Sequence, residues 1–297
     1  MLLLLISCYK PPAAPTPSAE SLGSPSRAGL PETSLRAMHV ASITLPQNQA
    51  LKGGSRKVDV PGVVSSFLVE HPQGDVLVDT AFGRRTAMDH KDYPGPFWMI
   101  GLPDFEMHTP PVQMLPEIGK SAGDVAHILL THSHHDHIGG LEDFPDAKVH
   151  LDAVEWEHVQ GGGPVLAPLL EHKHVEPLVL DQGPYGPFAQ HRDFSGDGSI
   201  ILLPSPGHTP GSIMVLVNLP QSSVLLMGDA AWIDDNWTQT LPKGGFVRRR
   251  FEYDWVSGMR PLYLVSAWKE AWPELVVVSG HDASTRELLP SWPEPLR

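Results

Sequence analysis

Four potential metal ligands lie within six consecutive residues, His132 to His137, directly after an apolar segment. The segment from Val125 to Leu130 reads as a buried strand, so the histidines lie where that strand ends and the chain turns. In extended backbone the side chains of His132 and His134 point the same way, whereas the adjacent Asp136 and His137 must diverge. This spacing suits two neighbouring metal ions better than one.

Composition restricts both the ligands and the partners. The 297 residues carry a formal net charge of -13, which disfavours a nucleic-acid substrate because phosphate binding needs clustered lysine and arginine. Cys8 is the only cysteine, so no intrachain disulfide can form and the metal ligands must be histidine and aspartate. The sequence contains no run of about 18 apolar residues and therefore predicts no transmembrane helix.

The first 35 residues are predicted to lie outside the folded domain. The segment from Met1 to Cys8 is short and apolar, and Leu5-Ile6-Ser7-Cys8 resembles a bacterial lipobox. If the true start lies upstream, Cys8 would tether a lipoprotein to the membrane of the bacterial cell envelope; otherwise the cysteine is incidental and the protein cytoplasmic. Lys10 to about Leu35 is rich in Pro, Ala and Ser, which predicts a disordered linker.

Strands and helices alternate after the histidine-rich stretch, as in an α/β sandwich. A strand is expected at Ala147 to Leu151, and a helix with Asp152 as its N-cap follows it. Upstream, Val63 to Glu70 and Asp75 to Thr80 read as a hairpin. The long irregular segment from Phe82 to Pro116 is typical of a functional loop.

The order His-x-His-x-Asp-His resembles the signature of the metallo-β-lactamase superfamily. Other strings of the chain are similar to further motifs of that family, and the match is closest to the N-acyl-homoserine lactonase-like group: Val78-Asp79-Thr80, Gly207-His208-Thr209-Pro210-Gly211, Gly228-Asp229 and Gly280-His281-Asp282. The resemblance covers about residues 38 to 285. It implies an αββα sandwich of two mixed β-sheets flanked by helices, in a catalytic domain spanning residues 36–297.

The resemblance implies a complete set of ligands for two divalent metal ions. His132, His134 and His208 would bind one metal, Asp136, His137 and His281 the other, and Asp229 would bridge them. Imidazole and carboxylate ligands without thiolate suit zinc best, with manganese, iron or cobalt as alternatives. An aspartate at the end of an apolar strand, as at Asp229, is in any case costly unless it is paired or metal-bound.

Other residues are expected around the metals rather than on them. The family places the aspartate of its Asp-Thr-Gly motif behind the ligands, so Asp79 would orient a histidine; Ala81 replaces the usual glycine of that motif. Trp232 stands where lactonases have a tyrosine that contacts the substrate carbonyl, and an indole cannot act as a phenol acid. Phe97 and Trp98 are candidates for an apolar wall of the substrate pocket.

The implied activity is hydrolysis of a small molecule with an ester-like carbonyl, such as a lactone. A hydroxide bridging the metals would attack the carbonyl, and Asp136 would carry a proton to the leaving alkoxide. A thioester hydrolase of the glyoxalase II type fits the same ligands, and mononuclear-iron persulfide dioxygenases share much of the motif. A β-lactamase is disfavoured because those enzymes generally lack the bridging aspartate. A non-catalytic binding protein is disfavoured because all seven ligands are present.

Overall fold

Two mixed β-sheets stacked face to face form the centre of the computed structural model, which describes residues 22, 27–88, 105–162, 172 and 174–297. The first sheet has the strand order β4-β1-β2-β3-β5-β6-β7 and the second the order β12-β11-β10-β9-β8. The strands of the first sheet are β1 (Ser34–Pro46), β2 (Asp59–Glu70), β3 (Asp75–Val78), β4 (Phe105–Met107), β5 (Val125–Leu129), β6 (Lys148–Asp152) and β7 (Val175–Leu178). Those of the second are β8 (Arg192–Asp193), β9 (Ile200–Pro204), β10 (Ile213–Asn218), β11 (Ser223–Leu226) and β12 (Val276–Val278).

Helices cover the outer face of each sheet. In the described part of the chain they are α1 (Gln47–Ala50), α2 (Arg84–Met88), α3 (Pro111–Met114), α4 (His135–Ile138), α5 (Ala153–Gln160), α6 (Asp234–Thr238), α7 (Gly245–Arg250), α8 (Met259–Ala271) and α9 (Thr285–Leu288). Short 3-10 turns occupy Leu115–Ile118, Ala122–Asp124, Leu141–Asp143 and Gly228–Ala230. Within the described ranges, every helix is too short or too polar to span a bilayer.

Three apolar layers explain why the strands are hydrophobic on both faces. Alternate residues of each sheet meet in the core between the sheets, where Val69 and Leu129 of the first sheet pack with Val215 of the second. The opposite face of the first sheet packs on α3, α4 and α5, and that of the second sheet packs on α8. The αββα sandwich predicted from the sequence is therefore confirmed.

The direction of each strand determines which loops lie at the same edge of the sandwich. β3 and β5 are parallel. In the second sheet, β9 and β11 are both antiparallel to β10 and therefore run the same way, and β12 is parallel to β11. The loops that follow these strands consequently leave the same edge of each sheet.

Several sequence-based boundaries need correction. β1 begins at Ser34, so the predicted linker ends before that residue. His135–Ile138 forms one turn of helix within the stretch expected to be a turn, with Asp136 in its first turn. β7 lies in a Gly/Pro-rich segment that carried no strand signal, because its pairing with β6 is set by the sheet rather than by local sequence. Cys8 and most of the predicted linker lie outside the described residues.

A pair of histidines at the margin of the inter-sheet core, the buried His150 and the half-buried His127, makes stability depend on pH. Nδ1 of His127 is 3.0 Å from Nε2 of His150, and the ring of Phe194 packs against both. Burial and the nearby His127 lower the pKa of His150 from 6.5 to about 4. His150 therefore binds a proton more tightly in the unfolded chain than in the folded one. Its contribution to the free energy of unfolding is fully present above pH 6.5 and is lost as the pH falls towards 4.

We expect His150→Leu to weaken that dependence. Between pH 7 and pH 5 the free energy of unfolding of metal-free wild type should fall relative to that of the variant by about 2 kcal/mol. Denaturant titrations in EDTA at the two pH values measure this difference. His174→Leu, a change at an exposed histidine, is the control, and equal pH responses of His150→Leu and wild type would contradict the prediction.

Candidate metal centre

The seven predicted metal ligands converge at the edge where the sheet loops meet. They form two groups of neighbouring ligand atoms: His132, His134, His208 and Asp229, and Asp136, His137 and His281. β5 is followed by the segment that contains His132, His134, Asp136 and His137. His208 follows β9, Asp229 follows β11 and His281 follows β12. Residues far apart in the chain thus meet because each stands just beyond the end of a strand.

The first cluster consists of three histidines and Asp229, with ligand atoms within 4.8 Å of one another. Nδ1 of His134 lies 2.8 Å from Nε2 of His208. The rings of His132 and His208 meet edge to face, with centroids 4.7 Å apart. Three imidazole nitrogens and one carboxylate oxygen are a donor set suited to zinc.

The second cluster contains the most accessible carboxylate of the site. Oδ2 of Asp136 is 3.4 Å from Nε2 of His281 and 3.9 Å from Nε2 of His137. The Asp136 side chain is 28% exposed, whereas both histidine side chains are 5% exposed. Asp136 therefore faces the solvent side of the site.

Asp229 lies between the clusters and directs one carboxylate oxygen towards each. Oδ2 is 3.1 Å from Nε2 of His208, and Oδ1 is 3.1 Å from Nε2 of His281 and 3.2 Å from Nε2 of His137. Gly228 makes this turn possible: its φ is +49°, and a Cβ there would lie 2.8 Å from the Cβ of Thr131. This geometry suits a carboxylate shared by two metal ions.

Buried polar atoms support metal binding by these residues. Among the described residues, no well-directed hydrogen bond reaches Nε2 of His132, Nε2 of His137 or Oδ1 of Asp229, although the last two atoms are 3.2 Å apart. Leaving a buried polar atom unsatisfied costs about 1–3 kcal/mol, so three in one site call for an explanation. Metal coordination would satisfy all three atoms, and the residues therefore fit one ion in each cluster.

The charges of the site are organised around Asp229. Burial, together with the neighbouring histidines, lowers the pKa values of His132 and His134 well below the ordinary range. Burial also lowers the pKa of His137, but the carboxylates of Asp79, Asp136 and Asp229 more than offset this and raise it well above its usual value. The metal-free site therefore contains both neutral and protonated histidines.

His208 and His281 are also protonated more readily than a free histidine. Burial and Lys243 lower the pKa of His208, but Asp229 and Glu252 outweigh them and raise it. Burial likewise lowers the pKa of His281, but Asp229 and Asp136 outweigh it and raise that pKa. Conversely, burial alone would raise the pKa of Asp229, but His281, His208 and His137 hold it well below its usual range. Protons thus occupy, in the metal-free protein, positions that a metal cation would take.

Asp79 lies behind the second cluster. Its carboxylate accepts hydrogen bonds from Nδ1 of His137 at 2.7 Å and from the backbone and hydroxyl of Thr131 at 2.8 Å each. It thereby fixes the His137 ring with Nε2 towards the metal site. Asp79 and Ala81 have φ values of +54° and +50°, so the replacement of the family's glycine by Ala81 retains a left-handed backbone.

Further residues that the sequence did not indicate support the ligands. Nδ1 of His208 donates to Oε1 of Glu252 at 2.7 Å, and Lys243 donates to the same oxygen at 2.7 Å. Glu155 accepts hydrogen bonds from the backbone of Ser133 at 2.9 Å and of Gly211 at 3.0 Å, and so links two ligand loops. The sequence indicated Glu155 only as a residue in the first turn of a helix. The spacing of Lys243 and Glu252 gave no indication that they lie at the site.

The three predicted pocket residues are placed differently. Phe97 and Trp98 lie outside the described residues, so their role stays a prediction. The indole of Trp232 lies beside the metal site, with its ring centroid 5.8 Å from that of His281. Its Nε1 donates to Oδ2 of Asp229 at 2.7 Å.

The chain is similar to known proteins in both sequence and fold. The family model described as the metallo-beta-lactamase superfamily matches residues 59–268. A probable metallo-hydrolase of Mycobacterium tuberculosis is 35% identical over 175 residues, which are 55% of this chain and 55% of that protein. The chain therefore spans little more than half the length of this relative.

Lactonases are similar over a larger share of the chain. The N-acyl homoserine lactonase AttM of Rhizobium radiobacter is 27% identical over 238 residues, covering 78% of this chain and 85% of AttM. A solved N-acyl homoserine lactone hydrolase with N-hexanoyl-L-homoserine at its catalytic metal centre superposes with a TM-score of 0.73. That superposition covers 90% of this chain and all of the other at 20% identity, and shows a common fold.

Proposed function

The chain belongs to the metallo-β-lactamase superfamily, and on that premise we propose that it is a dinuclear metal-dependent hydrolase that opens a lactone or ester carbonyl. The observation that carries the proposal is the position of Asp229, with one oxygen towards each ligand cluster. N-acyl homoserine lactones are the proposed substrates, because AttM, which is similar over 78% of this chain, is named for that activity. Zinc is the proposed metal, because the donors are nitrogen and oxygen without thiolate.

His132, His134 and His208 would hold one ion and Asp136, His137 and His281 the other, with Asp229 shared. When bound, such ions would act as Lewis acids, which make water acidic enough to supply hydroxide near neutral pH and polarise a carbonyl. The remaining steps fall to the side chains of the protein.

Asp136 is the residue placed to move a proton. Its carboxylate is the accessible one of the site, whereas Asp229 is buried and accepts a hydrogen bond from Trp232. We assign to Asp136 the transfer of a proton to the alkoxide oxygen that leaves when the ring opens. Trp232 has only its N–H to donate, and that N–H is already bonded to Asp229.

The test is a metal determination and a hydrolysis assay on the same preparation of the full chain. We expect about two zinc or similar divalent ions per chain and ring opening of N-acyl homoserine lactones, followed by proton release in a pH-stat. His132→Ala should abolish turnover, because it removes a ligand of the first cluster.

Two results would replace this proposal. Faster hydrolysis of a thioester than of any lactone would favour a thioesterase of the glyoxalase II type. One iron per chain with no hydrolysis of either substrate would favour a persulfide dioxygenase. Both alternatives use histidine and aspartate ligands, so metal content and substrate preference distinguish them.

A further inference from the structure

Three side chains outside the ligand set form a continuous chain of contacts around Asp229 and His208. They are Trp232, Lys243 and Glu252, which we name the outer bracket. Trp232 bonds the Asp229 carboxylate, Lys243 bonds the Asp229 backbone carbonyl and Glu252, and Glu252 bonds His208. The outer bracket therefore contacts the side chain and the main chain of Asp229 and one histidine of the first cluster.

Trp232 controls the rotation of the Asp229 carboxylate. A carboxylate can turn about its Cβ–Cγ bond, and its two oxygens are chemically equivalent until something distinguishes them. The indole N–H at 2.7 Å from Oδ2 makes that distinction and leaves Oδ1 facing His137 and His281. The centroid of the indole lies 5.8 Å from that of the His281 ring and 5.5 Å from the Lys243 ammonium.

Lys243 fixes the other end of Asp229. Lys243 is only 4% exposed, and burying an ammonium group is costly unless the group is paired. Here it donates to the carbonyl oxygen of Asp229 and to Oε1 of Glu252. With its main chain tied to Lys243 and its side chain tied to Trp232, Asp229 has little freedom to move.

Glu252 fixes His208. The same Oε1 that binds Lys243 accepts from Nδ1 of His208, which leaves Nε2 of that ring facing the first cluster. Burial raises the pKa of Glu252, but Lys243 and His208 outweigh burial and lower it to about 2, so the carboxylate stays charged at neutral pH. A histidine whose second nitrogen is bonded to a carboxylate is held in one tautomer and one orientation.

We propose that Trp232 is a positioning residue which holds Asp229 with one oxygen towards each metal, supported by Lys243 and Glu252. This role rests on the proposed dinuclear function and extends it to residues that bind neither metal nor substrate. Where lactonases use a tyrosine to contact the substrate carbonyl, the N–H at position 232 of this chain acts on the metal bridge.

The test is a metal titration of the metal-free full chain, with zinc binding measured by competition against a chromophoric chelator. Trp232→Phe removes the N–H and keeps an aromatic ring beside His281. Trp237→Phe is the matched control, because its indole also donates to an aspartate, Asp234, at 3.3 Å, and neither residue is a predicted ligand. We expect about tenfold or greater loss of affinity for at least one ion in Trp232→Phe and no more than about a twofold change in the control.

Glu252→Gln provides a second, independent variant in case Trp232→Phe fails to fold. We expect it to weaken zinc binding by about 10- to 100-fold, whereas Glu70→Gln, a change at a half-buried glutamate paired with Arg36 in the first sheet, should have no effect on zinc binding. Wild-type zinc affinity in a folded Trp232→Phe, with a loss only in kcat/KM, would overturn the proposal and make Trp232 a substrate contact. Wild-type zinc affinity in Glu252→Gln would overturn the supporting role of Glu252.

The same titration separates this proposal from the proposed function. One ion per wild-type chain would refute the dinuclear function. The positioning role would then be decided by the remaining ion: weaker binding in Trp232→Phe but not in Trp237→Phe supports it, and equal binding in both overturns it.

Discussion

Asp229→Asn is expected to reduce the metal content from two ions per chain to one or none, and to lower kcat/KM by about a thousandfold or more. Oδ2 of Asp229 lies 3.1 Å from a histidine nitrogen of the first cluster, and its Oδ1 lies 3.1 Å from one of the second. An amide has the same shape but no negative charge, and its nitrogen cannot act as a second ligand atom. The loss should appear in elemental analysis and in the lactone assay of the same preparation.

Asp75→Asn is a suitable control for this substitution. Asp75 is also buried, but it lies at the start of β3, where it pairs with Lys120 at 2.6 Å, and so occupies the opposite end of that strand from the metal site. It should alter stability and leave metal content unchanged. Two tightly bound ions and near-normal turnover in Asp229→Asn would show that the carboxylate does not bridge the metals.

Loading metal-free protein with zinc at pH 7 is expected to release protons from the histidines of the site. His137, His208 and His281 have raised pKa values in the metal-free site, and each must lose its proton before Nε2 can bind a metal. Because these pKa values are raised, protons compete more strongly with the metal for Nε2 as the pH falls, and metal affinity declines. Each proton released makes the overall association constant fall about tenfold for each unit of pH.

Isothermal titration calorimetry in two buffers of different ionisation enthalpy counts these protons. The apparent binding enthalpy should differ between the buffers by the number released multiplied by the difference in ionisation enthalpy. In Asp229→Asn the number should fall, because the variant lacks the one carboxylate that raises the pKa of all three histidines. Equal enthalpies in the two buffers would mean that the metal-free histidines are neutral, contrary to the expectation.

The sequence predicted the architecture because short motifs coincide with strand ends. His132 and His208 each follow an apolar strand, and a strand buried on both faces reads as a continuous apolar run. Asp229 was identified in the same way. Loops that follow strands running in the same direction lie at the same edge of a sheet, so these motifs come together in the fold.

The outer bracket could not be predicted by the same reasoning. Lys243 and Glu252 lie on either side of α7, at positions where lysine and glutamate are usually exposed, and only the fold shows that their side chains are buried and paired. The turn of helix within the histidine motif was missed for a related reason. Its four residues, His135–Ile138, are too few for a periodic signal, and their conformation depends on the contacts of Asp79 and Thr80 with His137.

Because the ligands come from both sheets, each bound ion would cross-link the two sheets at one edge of the sandwich. His132 and His137 follow a strand of the first sheet, whereas His208 and His281 follow strands of the second. Separating the sheets would release both ions, so each adds about 2.7 kcal/mol to the free energy of unfolding when its free concentration is a hundredfold above its dissociation constant. The lifetime of the protein in a cell would then follow the local metal supply, and starvation for metal would remove the molecule as well as its activity.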